Sequence, residues 1–324
     1  MTRGRELSVL SPRDIVRAGL CIGCGSCVAR ARAEADGWTA AVPAGLGDGG
    51  ASFVRPAMAL DRFGEYKPTG GGAWFRRPSA GFTRSCPFSP GSLNEDELAA
   101  ELFPDAGRRH AATGRFRAAY VGAVEERDFR DQGSSGGLVS WTLVELLRTG
   151  LVDGVAHVVP SDPAADGRFF RYRISRTEPE IRAGARSRYY PVELSRVLDE
   201  IRARPGRYAV VGVPCFVKAV HLLRREDPVI RDRVRFTLGL FCGHMKSARM
   251  AESFAWQMGV SIDDVVRVEF RIKDPARPAS TYTAELELRD GRVLRMDWWN
   301  LADGDWGSGF FQNAACNACD DVVA

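Results

Sequence analysis

Eight cysteines divide this 324-residue chain into two groups of four with different surroundings. Cys21, Cys24 and Cys27 stand in C-I-G-C-G-S-C, a C-x-x-C-x-x-C run, and Cys86 follows later, directly ahead of Pro87. The second group is Cys215 in V-P-C-F, Cys242 in F-C-G-H, and the late pair Cys316 and Cys319 in A-C-N-A-C-D. Three cysteines at two-residue spacing let one short loop wrap three corners of an iron–sulfur cube. A distant cysteine followed by proline resembles the closing ligand of bacterial ferredoxin motifs. Two such clusters imply electron transfer.

Disulfides are disfavoured, because the first residues are polar and basic and carry no apolar signal-peptide core. Zinc competes, since thiolates in C-x-x-C pairs suit it equally well. In the first group the third cysteine at the same spacing, the glycine between the second and third, and the late Cys-Pro favour iron–sulfur. The second group holds one C-x-x-C pair, and buried free cysteines are common as small hydrophobes. Cluster, zinc and plain packing all stay open there.

Composition is that of a soluble, cytoplasmic, mixed α/β chain, long enough for one large domain or a small module plus a larger one. No stretch approaches the roughly 18 uninterrupted apolar residues of a membrane span. The net charge of +4 is slight and argues against a nucleic-acid binder. Only Lys67, Lys218, Lys246 and Lys273 are lysines. Genome composition explains the arginine excess as well as function does, although the guanidinium fork suits flavin or substrate phosphates.

Residues 1–92 read as a small ferredoxin-like iron–sulfur module, rich in Gly and Pro over 44–50 and 69–72, with little helical periodicity. Residues 58–68 form a hairpin turning at Gly64. In such a module metal–thiolate bonds replace buried apolar area. Residues 93–118 are a linker, with a helix from the cap Asn94 to Phe103. Residues 119–324 are a mixed, mainly parallel α/β domain. Strands over 119–124, 152–159, 208–213 and 236–241 alternate with helices over 131–148, 193–204, 217–225 and 247–258. Gly150 closes the first of these helices and Ser247 caps the last. Residues 280–296 add an antiparallel hairpin turning at Asp290-Gly291. Cys215 and Cys242 each fall just past the carboxyl end of a strand, where open α/β sheets build their sites. The loop of Cys316 and Cys319 is placed to close over them.

Ser134, Ser135, Gly136 and Gly137 open a helix. Consecutive small residues there expose backbone N–H groups, a natural seat for a phosphate or pyrophosphate. The run matches neither G-x-G-x-x-G nor a P-loop, so a capped helix entered by a flexible turn stands beside that reading. The glycine-containing, aromatic stretch 184–191 reads by default as a surface loop. His244, two residues past Cys242, is a candidate proton donor because its ordinary pKa is near 6.5; the plainer role is a hydrogen bond to the cluster loop, or solvent exposure.

C-I-G-C-G-S-C, S-S-G-G-L-V-S followed by G-L-V-D-G-V, then G-V-P-C, F-C-G and a late C-x-x-C-D occur in that order. Together they resemble the coenzyme F-420 hydrogenase/dehydrogenase β-subunit family, over nearly the whole chain. That family includes chlorophyll-pathway reductases such as 7-hydroxymethyl chlorophyll a reductase. The resemblance implies an iron–sulfur flavoprotein oxidoreductase holding FAD beside 4Fe–4S clusters, with all eight cysteines as ligands and two clusters. It places Ser134, Ser135, Gly136 and Gly137 against FAD, with Ser187, Arg188 and Tyr189 helping to enclose it. A ferredoxin or similar one-electron donor would reduce a solvent-near cluster, and electrons would pass by the second cluster to FAD and on as hydride to a small-molecule substrate. The alternatives are an electron-relay β subunit of a hydrogenase or dehydrogenase complex and a zinc-stapled binding protein; a homo-oligomer is also compatible. Two departures stand out: the chain ends five residues after Cys319, where relatives continue into a tail, and Cys86 is far from its three companions.

Overall fold

The first cysteine run folds as a loop between two helices. In this computed structural model, which describes residues 8–38, 55–278, 280–302, 304 and 306–319, the glycine-rich stretch 44–50 lies outside the described residues. Helix α1 (Pro12–Arg17) begins with proline and a capping box between Ser11 and Asp14. Helix α2 (Ser26–Trp38) begins inside the cysteine run itself. Strands β1 (Ala57–Leu60) and β2 (Tyr66–Thr69) pair antiparallel as the expected hairpin, with Gly64 in the turn. Helices α3 (Gly72–Arg76) and α4 (Ala80–Ser85) follow, and Cys86 is the C-cap of α4. Helix thus occupies more of this region than periodicity suggested. Three of the four helices are five or six residues long, too short for an amphipathic period to register.

Helix α5 (Glu95–Leu102) carries the expected Asn94 cap, in a capping box with Glu97. A short antiparallel hairpin of β3 (Arg108–His110) and β4 (Gly114–Phe116) comes next. The strand expected over 119–124 does not form. That segment is irregular and exposed up to Ala123, with Tyr120 91% and Val121 105% accessible, and among the described residues no strand pairs with it. The single helix expected over 131–148 is broken into α6 (Phe129–Gln132) and α7 (Leu138–Arg148). Gly137 at φ 77° makes the break, and a Cβ on it would strike the Phe129 carbonyl.

The α/β architecture then unfolds in order: β5 (Gly154–Pro160), α8 (Pro163–Asp166), β6 (Phe170–Ser175), α9 (Glu178–Ala183), α10 (Ser195–Ala203), β7 (Tyr208–Gly212), α11 (Pro214–Glu226), α12 (Pro228–Arg233), β8 (Val234–Gly239) and α13 (Arg249–Gln257). The sheet order is β6-β5-β7-β8; β5, β7 and β8 are parallel and β6 is an antiparallel edge. β7 is buried throughout and β5 nearly so, the pattern of strands covered on both faces. A second, antiparallel sheet joins β9 (Val265–Lys273), β10 (Tyr282–Leu288) and β11 (Val293–Asp297) in the order β11-β10-β9. The β10–β11 hairpin was expected. β6 and β9 were not foreseen, because arginines at 171, 173, 267 and 271 break their apolar runs.

One buried core links Ile22, Cys24 and Ala29 of the cysteine loop and α2 to α10, α11, α13 and both sheets. A second core lies under α7 against β5 and β7. Leu194 N–H donates to the Cys24 carbonyl at 2.9 Å and anchors the loop to the start of α10. Each fully buried aromatic of this core, such as Phe254 or Phe270, contributes roughly 1.5–3 kcal/mol by leaving water.

Candidate functional site

Cys21, Cys24, Cys27 and Cys86 line one small pocket with apolar walls from Ile15 and Phe82. Two glycines shape the loop. Gly23 at φ 80° and Gly25 at φ 81° adopt a left-handed backbone, and a Cβ would lie 2.5 Å from Tyr66 O and 2.6 Å from Glu193 Oε2 respectively. Lys67 Nζ donates to the Cys21 carbonyl at 2.7 Å. Burial pushes Cys21 up to about 11 against the pull of Lys67. Burial, and then the charges of Cys24, Cys21 and Cys86, holds Cys27 well above the ordinary thiol range. Four buried thiols so close together stay protonated until a cation compensates them, which is what a metal does for its thiolate ligands.

The second four also come together. Cys215 sits in the first turn of α11, and Cys242 lies three residues beyond β8. Cys316 lies in a 3-10 turn, Ala314–Ala318, where its Sγ accepts the Met245 N–H at 3.3 Å, and Cys319 follows directly. Burial raises Cys215 well above its usual value, reinforced by Cys24, Cys242, Cys319 and Cys316. Burial, then Cys316 and Cys319, pushes Cys242 up to about 12. The two quartets are therefore neighbours, meeting at Cys24 and Cys215. Tyr172, buried and donating to the Val211 carbonyl at 2.8 Å, is raised by burial and then by both of these cysteines. Among the described residues, no three His, Cys, Asp or Glu side chains are placed to hold a single metal ion.

His244 lies flat on Trp306, ring centroids 4.4 Å apart and planes 10° from parallel, with Nε2 buried and unpartnered. It makes no hydrogen bond through Nε2. Burial, then Lys246, lowers it to about 4, so the ring is neutral at pH 7. Trp306 also meets Tyr189 at 4.8 Å and Trp298 at 5.8 Å. Tyr189 is thus one aromatic step from the second quartet's surroundings.

Ser134 and Ser187 come together: the Ser187 N–H donates to Ser134 Oγ at 2.7 Å. Lys273 Nζ donates to the carbonyls of Arg130 (2.6 Å) and Ser135 (2.8 Å), and Val124 N–H takes the carbonyl of Gly136. These bonds turn loop carbonyls aside and leave the orphan amides at the start of α7 for another acceptor. Burial lowers Lys273, and Asp131 opposes this, while Arg130, Arg271 and Arg186 add to it. Arg271 Nε is buried without a partner, and Arg186 holds a strained φ of 80°. This basic group of Arg130, Arg186, Arg271 and Lys273 escaped the sequence reading because it gathers from three separate segments with no common spacing. Its donors fit a phosphate-bearing cofactor.

Arg188, in the stretch 184–191, is buried in an ion pair. Its guanidinium is 5% exposed and binds Glu269 (2% exposed) at 2.5 Å and the Ala185 carbonyl at 2.8 Å. Burial opposes ionisation of Glu269, but Arg188, then Arg267 and Arg186, outweigh it and hold the carboxyl below its usual range. Arg188 therefore ties its own loop to β9; Glu269, its partner, carried no sequence signal.

An α/β protein with two adjoining thiol quartets is a cysteine-rich scaffold of a defined kind. Two family models match it. "Coenzyme F420 hydrogenase/dehydrogenase, beta subunit N-term" covers residues 119–199, and the C-terminal model of the same family covers residues 206–324. The chain belongs to the coenzyme F420 hydrogenase/dehydrogenase β-subunit family. No curated protein matches it. Among solved structures, a chain of the F420-reducing NiFe hydrogenase complex from Methanosarcina barkeri is similar, at 18% identity and a TM-score of 0.43. That match covers 58% of this chain and 63% of the other, less than two thirds of its length. Among the described residues no helix is long and apolar enough to cross a membrane.

Proposed function

We propose that this chain is an oxidoreductase, an iron–sulfur flavoprotein with one 4Fe–4S cluster on each thiol quartet and FAD against the Ser134–Ser187 junction. The observation that carries the reading is the adjacency of two thiol quartets through Cys24 and Cys215. The clusters would supply one-electron steps and the flavin the conversion of electron pairs to two-electron chemistry. Thiols lining one small pocket, with two left-handed glycines bending the loop about it, suit a polynuclear cluster more than a single zinc ion. Lys273, Arg130, Arg186 and Arg271 would neutralise the flavin pyrophosphate, with the amides at the start of α7 as donors. Tyr189 and Trp306 would wall the space between flavin and second quartet and exclude water. Electrons would enter from a ferredoxin-like carrier in the cytoplasm and leave to a small-molecule substrate.

Family membership also supports a second arrangement, in which the chain relays electrons as a subunit of a larger complex. Stable partners on purification distinguish it from a stand-alone enzyme. The deciding experiment is the iron, acid-labile sulfide and flavin content of anaerobically purified protein. About eight irons and one flavin per chain are expected for two clusters. Zinc without sulfide or flavin overturns the reading.

A further inference from the structure

The β1–β2 hairpin is a strut between the two quartets. At one end Tyr66 lies against the cysteine loop, its carbonyl oxygen 2.5 Å from where a Cβ on Gly23 would stand. At the other end the turn is tied to the segment after Cys242. Ser247 Oγ donates to the Phe63 carbonyl at 2.7 Å, and Ala248 N–H donates to the Gly64 carbonyl at 2.9 Å. Between these contacts the hairpin carries an ion pair. Lys67 Nζ lies 2.8 Å from Glu65 Oε2, with the two side chains 19% and 14% exposed. The same ammonium donates to the Cys21 carbonyl at 2.7 Å, so its charge is fixed at the first quartet. The Glu65 carboxylate acts on a thiol of each quartet, Cys21 and Cys316. At Cys21 the ammonium outweighs it; at Cys316 the carboxylate outweighs the opposing Lys246.

A cluster that takes up one electron gains a negative charge, so a nearby cation favours its reduction and a carboxylate opposes it. Largely buried charges are weakly screened by salt, and the bias persists at physiological ionic strength. We infer that the Glu65–Lys67 pair polarises the two-cluster unit, raising the reduction potential of the first cluster and lowering that of the second. The pair thereby favours the electron on the quartet of Cys21, Cys24, Cys27 and Cys86. The inference rests on the proposed clusters. Neither residue is a ligand; each acts through the charge it holds beside the ligands.

Redox titration of the anaerobically purified full chain, followed by electron paramagnetic resonance, tests it, with iron and acid-labile sulfide measured on the same samples. Cys24→Ala and Cys215→Ala assign the two signals. Lys67→Met should lower the first cluster's equilibrium constant for reduction at least about tenfold, 59 mV for one electron. Lys67→Arg keeps the charge and should stay within about threefold of the unaltered chain. Glu65→Gln leaves the Lys67 bond to Cys21 in place and should raise the second cluster's constant at least about threefold. Opposite signs from the two neutral changes are the signature, because damaged packing would move both the same way. If Lys67→Met loses iron, Glu65→Gln decides by itself. Shifts of the same sign, or shifts under about twofold at full iron content, overturn the inference alone. Absent iron and sulfide in the unaltered chain overturn the cluster reading, and the inference with it.

Discussion

The backbone N–H of Ser187 donates to Ser134 Oγ at 2.7 Å, joining two segments 53 residues apart at the mouth of α7. Ser134→Ala removes the acceptor and leaves that amide unpaired. A hydrogen bond of this kind contributes about 1 kcal/mol, so bound flavin should weaken about fivefold with iron retained. Equilibrium dialysis against FAD reads the change, and unaltered flavin affinity would remove Ser134 from the site.

Gly25→Ala meets two obstacles at once, a φ of 81° and the Glu193 carboxylate 2.6 Å from the new Cβ. Left-handed strain alone costs about 1–2 kcal/mol. About half of the iron should be lost, since one quartet is distorted. Gly150→Ala is the control: its φ is 67°, but a Cβ there meets open space, and iron should stay.

Cys24→Ala and Cys215→Ala should each remove about half the iron while leaving part of the flavin bound, since a 4Fe–4S cluster takes four ligands. Iron and flavin assays on the two variants, purified side by side, give the answer. Full iron in either one shows that its cysteine holds no metal.

Glu269→Gln strands Arg188, 5% exposed, without its counter-charge. Breaking a buried pair in this way costs about 3–5 kcal/mol. Replacing both partners with apolar residues, as in Arg188→Met with Glu269→Leu, should cost less. Thermal unfolding of the single and double variants checks the order.

His157 is buried, its Nε2 2.8 Å from Ser175 Oγ, and burial with Arg173 lowers it from 6.5 to about 4. Between those pH values the unfolded chain binds a proton that the folded chain refuses. Stability is therefore present in full above about pH 6.5 and falls as pH drops toward 4. The full shift corresponds to about 3 kcal/mol. His157→Gln should flatten this part of the stability–pH curve in urea titrations; an unchanged slope would show that another group governs it.

Much of the local structure was legible in the chain. The hairpin at Gly64, the Asn94 cap, the β10–β11 turn at Asp290-Gly291 and the strand–helix alternation around Cys215 and Cys242 all follow from signals spanning a few residues. Segment 119–124 misled because apolar content alone does not make a strand; a partner edge must be there to take its N–H and C=O groups. Strand β6 hid because Arg171 and Arg173 stand at its outward positions, which are apolar in neither face's pattern.

The spacing of Cys21, Cys24 and Cys27, and the glycines between them, are properties of the chain over seven residues, because turn dihedrals and reach along the backbone are local. No such rule joins Cys24 to Cys215, Ser134 to Ser187, or Lys273 to Arg130. Those meetings depend on the strand order β6-β5-β7-β8 and on the core that packs the cysteine loop against α10 and α11. Burial of apolar surface is non-directional, so it draws distant segments together without leaving a spacing in the sequence that records which ones.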